Sequence, residues 1–373
     1  MSSTLSTSSP SEQTLRAALS THFLGSSVDL TDLDEVAWSA VVGQIHTHRV
    51  IGPTMAAVRR GSVVLTDTQI ETLDDIHVEC LRRSLVIERM LLDVMPTFDE
   101  VGARLVLLKG TALAHLDYDD PADRTFEDAD VLVDARHLDE LLGVLALKGY
   151  VRDLPARRLD WDRRFAKDIT MVSPWGPELD VHRTLVAGAF GFWIDLEDIH
   201  DSAISFSLAG RRVWALSAVH RALHAAYALV IGENTSRLSH AFDLAQILSS
   251  DIDVGDLVSA SRAWGAAGLL SEALRRTREF LGGALLWDSS ISVDRLVETR
   301  VQRWARSTYR AESGSNTMSL LSGVVALRGA AERVEYLRAL LRPAAAYRDA
   351  RQRAGRSREW RTGLGEIARG VRR

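Results

Sequence analysis

Apolar positions recur at helical spacing near both ends of the chain, whereas a central region alternates apolar and polar residues. A long helix is predicted after the stretch Thr66 to Gln69, which has the pattern of an N-terminal capping box. Pro96 should bend or end this helix, because proline lacks the N–H that an inner helical turn requires. The pattern predicts a helical region over 1–100, a mixed core over 101–215, a helical bundle over 216–341 and an arginine-rich tail over 342–373.

Strands are predicted mainly in the central region, where short apolar or alternating segments are separated by turn residues. They lie at 104–110, at 126–133, from Tyr150 onward, at 166–173 and at 177–185, with a hairpin over 204–216 that turns at Ala209 and Gly210. Short helices are predicted between the first strands, at 111–116 and 134–149. A small mixed sheet between helical regions makes the expected fold class α+β.

Composition is typical of a globular protein and excludes several other classes. Of the 373 residues, 46% are hydrophobic and 25% are charged, and no apolar run is long enough to span a bilayer. The stretch from Met1 to Leu15 lacks the basic start and apolar segment of a signal peptide, and we interpret it as a disordered leader. The single cysteine, Cys80, excludes a disulfide framework within the chain and a thiolate metal cluster. We therefore expect a protein of the reducing cytoplasm.

The basic residues are unevenly distributed in position and in kind. The net charge is −5, yet the stretch from Arg342 to Arg373 contains ten arginines and three acidic residues. Such a tail either contacts nucleic acid or is a solvated chain end, and the lack of an accompanying aromatic stacking pattern favours the second interpretation. Three of the 45 basic residues are lysines, at positions Lys109, Lys148 and Lys167. Lys148 suits a helix C-terminus, whereas the other two are candidates for phosphate contacts.

Carboxylates on predicted strands mark a candidate site. Asp128 and Asp130 share one face of a strand and lie roughly 7 Å apart along it. Charges of one sign in such a place require cations, hydrogen bonds or solvent. A later strand carries Glu178, Asp180 and His182 on one face. These groups could hold divalent metal ions, and two ions about 4 Å apart would clamp the attacking and leaving oxygens of a phosphoryl transfer.

A glycine turn precedes a predicted helix N-terminus ahead of the first acidic strand. Gly110 would allow a ligand to approach the backbone closely, and the N–H groups of the helix that begins at Thr111 would bind an anion. Arg124 lies just before the acidic pair. Either it pairs with Asp128 or Glu127, or it contacts a phosphate, and the sequence favours neither interpretation.

Lys167 and several histidines also have two interpretations each. Lys167 is a solvated edge residue or a phosphate ligand, with the first slightly favoured. His182 supports a metal ligand or makes a structural hydrogen bond. His220 and His224 have a metal-capable spacing, yet no third ligand accompanies them, so a packed helix is the favoured interpretation. Arg237 and Asp243 are expected to tie helices together.

Three stretches, at 106–133, 147–150 and 178–185, resemble a known family. They are similar to uncharacterised bacterial nucleotidyltransferases of the polymerase-beta-like superfamily. The segment from Gly110 to Leu113 and the Arg-x-x-x-Asp-x-Asp motif are also similar to abortive-infection nucleotidyltransferase toxins. The resemblance implies a polymerase-beta-like core within the α+β fold. The chain departs from the superfamily in having Lys-Gly-Thr where Gly-Gly or Gly-Ser is common, and in a longer loop from Asp117 to Asp123.

The resemblance also implies roles for individual residues. Asp128 and Asp130 would be catalytic metal ligands, and Asp180 would be the third catalytic carboxylate and metal ligand. Gly110 and Thr111 would form the turn that cradles phosphate. The candidates for nucleotide contacts are Lys109, Gly110, Thr111, Arg124 and Lys167.

The implied reaction moves a nucleoside monophosphate from an NTP to an acceptor hydroxyl with the help of Mg²⁺. Two ions are expected, and Mn²⁺ could substitute. The acceptor could be a small molecule, a tRNA 3′ end or a protein side chain, and no membrane partner is expected. The alternative from another class is a non-catalytic nucleotide-binding or antitoxin-like module. Three retained carboxylates favour the enzyme.

Overall fold

The computed structural model describes residues 8–232, 237–250, 252–282, 296–309 and 317–353. The N-terminal helices are α1 (Pro10–Leu24), α2 (Glu35–His48), α3 (Ile51–Arg59) and α4 (Asp67–Val101). The helices among the central strands are α5 (Lys109–Leu116), α6 (Leu138–Leu147), α7 (Trp161–Arg164), α8 (Gly188–Trp193) and α9 (Leu196–Asp201). The C-terminal helices are α10 (Ala218–Ile231), α11 (Leu238–Leu248), α12 (Val254–Ala263), α13 (Ala267–Leu281), α14 (Arg300–Ser307), α15 (Thr317–Ala326), α16 (Ala330–Leu341) and α17 (Ala345–Arg353).

The strands form two sheets of unequal size. They are β1 (Val28–Asp29), β2 (Val63–Val64), β3 (Val106–Leu107), β4 (Ala129–Leu132), β5 (Val151–Arg152), β6 (Asp168–Val172), β7 (Glu178–His182), β8 (Ile204–Leu208) and β9 (Arg211–Ala215). The first two strands pair in parallel, and the other seven form one sheet in the order β5-β6-β7-β4-β3-β9-β8. The α+β fold class predicted from the sequence is confirmed. Within the ranges given above, no helix is both long and apolar enough to cross a membrane.

The N-terminal helices begin earlier and run longer than the sequence predicted. Residues 1–7 lie outside the described part, but α1 already begins at Pro10, so the disordered-leader interpretation is wrong from that residue onward. Ser9 caps this helix by accepting a hydrogen bond from the Glu12 N–H at 3.2 Å, and the apolar face of the helix is buried. Hydrophobic burial therefore orders a segment whose polar composition suggested disorder.

The long helix α4 confirms the predicted capping box and decides one of the two outcomes predicted for Pro96. Its N-terminus has the predicted capping box, in which Thr66 and Gln69 exchange side-chain and backbone hydrogen bonds. Pro96 does not end the helix, which continues to Val101. The last turns carry Phe98, Val101 and other buried side chains, and their packing offsets the hydrogen bond that proline removes.

Two parallel pairings bring the later strands beside the first ones. Strand β4 pairs in parallel with β7, and β3 pairs in parallel with β9, while the remaining pairs in the large sheet are antiparallel. The predicted hairpin is present as β8 and β9. Its turn has Ala209 and Gly210 at φ 46° and 79°, the left-handed conformation that a two-residue hairpin loop requires.

The two faces of β4 have different surroundings, as the alternation of its residues predicted. Ala129, Val131 and Val133 are fully buried in a cluster with α4 and α6. Leu132 belongs instead to a second cluster, formed with α10, α11 and α13. Asp130 lies on the same side of the strand as Leu132. The candidate site is therefore at the face of the sheet that the C-terminal helices cover.

The turn after β3 differs from the prediction. Helix α5 begins at Lys109 and not at Thr111, so Gly110 is its second residue. Lys109 itself has the left-handed φ of 43°. A Cβ on Gly110 would overlap the side chain of Phe126, so close packing inside the protein already accounts for this glycine. The backbone conformation of Gly110 therefore gives no additional reason to assign this glycine to ligand approach, and that role stays a prediction.

Candidate active site

Two carboxylates and one imidazole meet where β4 and β7 run side by side. Asp130 and Asp180 are directly paired across the parallel strands, and His182 is opposite Leu132, two residues further along. One ligand atom from each of Asp130, Asp180 and His182 lies within 4.8 Å of the others. The register of this pairing explains why residues 50 positions apart share one site.

Asp130 is 4% exposed and is held by two neighbours. Its Oδ1 lies 2.5 Å from Lys109 Nζ and 2.7 Å from His182 Nε2. Burial works against ionisation of this carboxyl, but Lys109 and His182 outweigh it and hold its pKa well below the ordinary range. Asp130 is therefore an anion at neutral pH.

The hydrogen bonds of His182 fix how its ring can be used. Nδ1 lies 3.1 Å from the carbonyl oxygen of Thr184, and a carbonyl only accepts, so Nδ1 carries a proton. Nε2 faces the ionised carboxylate of Asp130, which only accepts, so Nε2 donates a hydrogen bond there and can offer its lone pair to a cation only after losing that proton. A backbone carbonyl on the other ring nitrogen is typical of histidines that ligate metals.

Asp180 has the opposite electrostatic situation. Its Oδ1 accepts a hydrogen bond from the Thr170 hydroxyl at 2.6 Å. Even so, burial and the repulsion of Asp130 and Asp168 raise the pKa of Asp180. A cation bound between Asp130 and Asp180 would remove much of this repulsion.

Asp168 is a third carboxylate in this group that the sequence analysis did not select. It begins β6, is paired with His182 across the strands, and has its Oδ2 3.8 Å from His182 Nε2. Burial opposes its ionisation, yet Lys167 and His182 lower its pKa. A signal was present, since Asp168 and Thr170 alternate with the buried Ile169 and Met171 in the same way as the other acidic strands.

Comparisons with known proteins assign the chain to a family. The model of a family described as uncharacterised nucleotidyltransferases matches residues 34–282, more than half of the chain. The protein belongs to this nucleotidyltransferase family. Membership confirms the resemblance seen in the sequence, and the matched region contains Asp130, Asp168, Asp180 and His182. The helices α14 to α17 lie beyond the match.

Two further comparisons add little to the family assignment. A crystal structure of an antigenic nucleotidyltransferase-like protein from Paracoccidioides brasiliensis is 14% identical, with 58% of this chain and 94% of that chain covered and a TM-score of 0.33. A likeness at that TM-score carries no argument about the fold. No curated protein matches the chain.

Other residues predicted for the nucleotidyltransferase site lie at different distances from this group. Asp128 precedes β4, is exposed, and is not among the ligand atoms that lie within 4.8 Å of one another in the described chain. Crowding by the surrounding protein and the nearby charge of Asp130 raise its pKa. Lys167 contacts Asp168 at 2.6 Å, so it reaches the acidic group through that neighbour.

Arg124 forms an ion pair, but with neither of the residues expected from the sequence. Its Nε and Nη2 lie 2.7 and 2.9 Å from the two oxygens of Asp243 on α11, and the Tyr118 hydroxyl donates to the same carboxylate. Glu127 pairs instead with Arg49. Asp243 therefore joins α11 to the turn that carries Arg124, and its predicted partnership with Arg237 stays a prediction.

The predicted phosphate-binding turn lies at the start of α5. The cap residue, Leu108, offers no side-chain hydrogen bond to the first N–H groups of the helix. Anion binding by these groups is compatible with the lack of a side-chain cap and stays a prediction. Thr111 is 3% exposed, so a contact between its hydroxyl and a phosphate would require movement of its neighbours. The roles of Gly110 and Thr111 stay predictions.

Proposed function

We propose that this protein is a metal-dependent nucleotidyltransferase that moves a nucleoside monophosphate from an NTP to an acceptor hydroxyl. The observation that carries the proposal is the group formed by Asp130, Asp180 and His182 on adjacent strands, in a chain that belongs to a nucleotidyltransferase family. The family is described as uncharacterised nucleotidyltransferases, and the group offers the ligands that a nucleotidyl transfer uses.

The donor set fits a divalent metal ion. Asp130 and Asp180 supply carboxylate oxygens, and His182 supplies Nε2 when only its Nδ1 is protonated. Carboxylates suit Mg²⁺ and Mn²⁺, and the imidazole ligand shifts the preference towards Mn²⁺. A second ion would require Asp128 or Asp168 in addition. When bound, the metal would supply Lewis-acid stabilisation of the charge that develops on the transferred phosphoryl group.

The protein's own residues have distinct tasks in this proposal. The N–H groups at the start of α5 and the ammonium of Lys109 bind and orient the triphosphate. Asp180, whose pKa is raised, accepts the proton of the attacking hydroxyl more readily than an unperturbed carboxylate. The Thr170 hydroxyl holds Asp180 in position. Lys167 keeps Asp168 paired, so that one carboxylate of the group is already neutralised.

The acceptor is a small molecule, a tRNA 3′ end or a protein side chain. A cytoplasmic location is part of the proposal and is supported by the single thiol, Cys80, whose pKa is raised by burial. The deciding experiment incubates the purified protein with each labelled NTP, Mg²⁺ or Mn²⁺, and either total tRNA or a metabolite pool. We expect label in one acceptor pool, and none with Asp180→Asn.

Two results would contradict the proposal. Labelled product that forms equally well in EDTA would show that the transfer does not depend on a metal ion. Binding of NTP without any transfer under all these conditions would instead support the non-catalytic nucleotide-binding module.

A further inference from the structure

A cavity of about 50 Å³ lies beside Lys109, between α5 and the helices α10 and α11. Leucine and alanine side chains make up its apolar wall. Its polar wall consists of Lys109, Arg124, Arg221, His224, His240 and Asp243. Lys109 also contacts Asp130, so this one side chain joins the cavity to the acidic group.

The two arginines of the wall are already neutralised within the protein. Arg124 is held by both oxygens of Asp243. Arg221 is held by both oxygens of Asp117, at 2.8 and 2.9 Å, and donates to a backbone carbonyl as well. An anionic ligand would have to compete with these buried carboxylates for the same cations, which is unfavourable.

Two imidazoles supply the hydrogen-bonding capacity that is left. No side-chain hydrogen bond joins His224 or His240 to the part of the chain that the structure describes, and His224 is 5% exposed. Burial lowers the pKa of His224 well below its ordinary value. Burial also lowers the pKa of His240 to about 4, against the attraction of Asp243. Both rings are therefore neutral at pH 7, and each offers one donor and one acceptor.

A metal ion does not fit this wall. The described residues contain one group of three potential ligands within 4.8 Å, and it includes neither His224 nor His240. His220, one turn before His224, points elsewhere: it contacts Asp198 at 3.3 Å and stacks on Trp264. The packed-helix interpretation of His220 and His224 agrees with these contacts.

The volume limits what can enter. A water molecule occupies about 30 Å³ of the liquid, and a cavity of about 150 Å³ takes a benzene ring. The cavity here, about 50 Å³, therefore accepts one small functional group and not a nucleobase. The group must be uncharged and must both donate and accept hydrogen bonds. A hydroxyl meets these requirements.

We propose that the cavity is a subsite for a neutral sugar hydroxyl of the substrate, hydrogen-bonded by His224 and His240. The inference rests on the proposed function and adds a substrate class to it. The hydroxyl comes either from the ribose of the NTP or from a sugar-bearing acceptor. A protein side chain with a single hydroxyl would use that hydroxyl in the attack and would have none left to bind in the subsite.

The test is a histidine NMR titration of the full-length protein with ribose, acetate, methylammonium and inorganic phosphate as probes. Signals of His224 and His240 should shift saturably with ribose and not with acetate or methylammonium, and phosphate should not displace ribose. The His220 signal is the matched control on the same helix and should not move. Saturable shifts with acetate or methylammonium, displacement of ribose by phosphate, or no saturable shift with ribose would overturn the proposal.

A larger side chain in the cavity should weaken the binding of ribose. Ala228 lines the cavity without offering a polar side-chain group, so Ala228→Leu should weaken ribose binding at least about tenfold while the three ion pairs stay intact. His224→Phe is the second variant, in case the first does not fold. Unchanged ribose affinity in a folded variant would contradict the assignment.

Kinetic measurements distinguish the two sources of the hydroxyl. If the NTP ribose enters, 2′-deoxy or 3′-deoxy NTP should show a raised KM with the wild-type protein, and Ala228→Leu should remove the difference. If the acceptor enters, Ala228→Leu should raise KM for the acceptor and leave KM for both NTP forms unchanged. Absence of any transfer would refute the proposed function alone, because the ribose titration does not depend on turnover.

Discussion

The contact between Lys109 and Asp130 predicts how three lysine substitutions will rank in stability. Lys109 Nζ lies 2.5 Å from Asp130 Oδ1, and the Asp130 side chain is 2% exposed. Lys109 also has a left-handed φ of 43°, which glycine adopts without cost and alanine does not. Lys109→Ala therefore removes the charge and keeps the strain, whereas Lys109→Gly removes both.

The magnitudes follow from these two effects. Leaving a buried carboxylate without its cation costs roughly 3 to 5 kcal/mol, and the lower value applies because His182 still contacts Asp130. Lys109→Ala should thus lower the free energy of unfolding by about 3 kcal/mol. The left-handed conformation costs a residue with a Cβ about 1 kcal/mol, so Lys109→Gly should lose about 2 kcal/mol.

The assay is urea unfolding at pH 7, followed by a pH series. Lys148→Ala is the control, because Lys148 pairs with the exposed Glu100 and donates to the Thr97 hydroxyl at 2.8 Å but neutralises no buried carboxylate, so its loss should cost less than that of Lys109. The pKa of Asp130 is lowered in the folded protein, so its stabilising contribution is present above about pH 4 and is lost as the pH falls further. The gap between wild type and Lys109→Ala should narrow in that range.

A divalent cation should compensate for the missing ammonium. In Lys109→Ala, Mn²⁺ should raise the unfolding midpoint more than it does in the wild type, because it neutralises Asp130 in place of Lys109. Equal stability of the wild type and Lys109→Ala, or an alanine variant more stable than the glycine variant, would refute this account of the contact.

Three further predictions concern other parts of the molecule. Asp180→Asn should abolish transfer, yet it should unfold at a higher urea concentration than the wild type at pH 7. The raised pKa of Asp180 marks an unfavourable charge in the folded protein, so this gain in stability should disappear below about pH 4. A variant less stable than the wild type at pH 7 would contradict the repulsion from Asp130. His182→Gln should weaken Mn²⁺ binding, measured by calorimetry, by about 10- to 100-fold if His182 is a ligand, and unchanged affinity would exclude it. Arg124→Met should cost about 3 to 5 kcal/mol of unfolding free energy through the unpaired Asp243, with the double variant Arg124→Met, Asp243→Asn losing less; additive losses would show that the pair is not coupled.

The sequence by itself determined the local features of this protein. Alternation of apolar and polar residues identified the buried face of β4 at Ala129, Val131 and Val133, because successive side chains of a strand point to opposite faces. The capping box at Thr66 and the left-handed turn at Ala209 were also predictable, since both depend on residues fewer than five positions apart. Asp130 and Asp180 could be selected in the same way, as they stand on recognisable strands.

Contacts between distant residues were decided only by the tertiary structure. Arg124 pairs with Asp243, 119 residues away, and not with Glu127, three residues away, because α11 packs against the turn that carries Arg124. The parallel register of β4 and β7 placed Asp130 beside Asp180 and left Asp128 outside the group. The pairing of β6 with β7 also placed Asp168 opposite His182, next to this group.

Packing also decided the role of residues whose local signal pointed elsewhere. Pro96 stays within α4 because the turns after it are buried, and Gly110 is required by Phe126 rather than by the conformation of its own backbone. His224 lines a cavity because the tertiary structure places α10 beside Lys109. The spacing of residues within one helix or strand fixes the face on which a side chain lies. Which residue it meets there depends on how distant helices and strands pack, and that packing is set by the free energy of the whole folded chain.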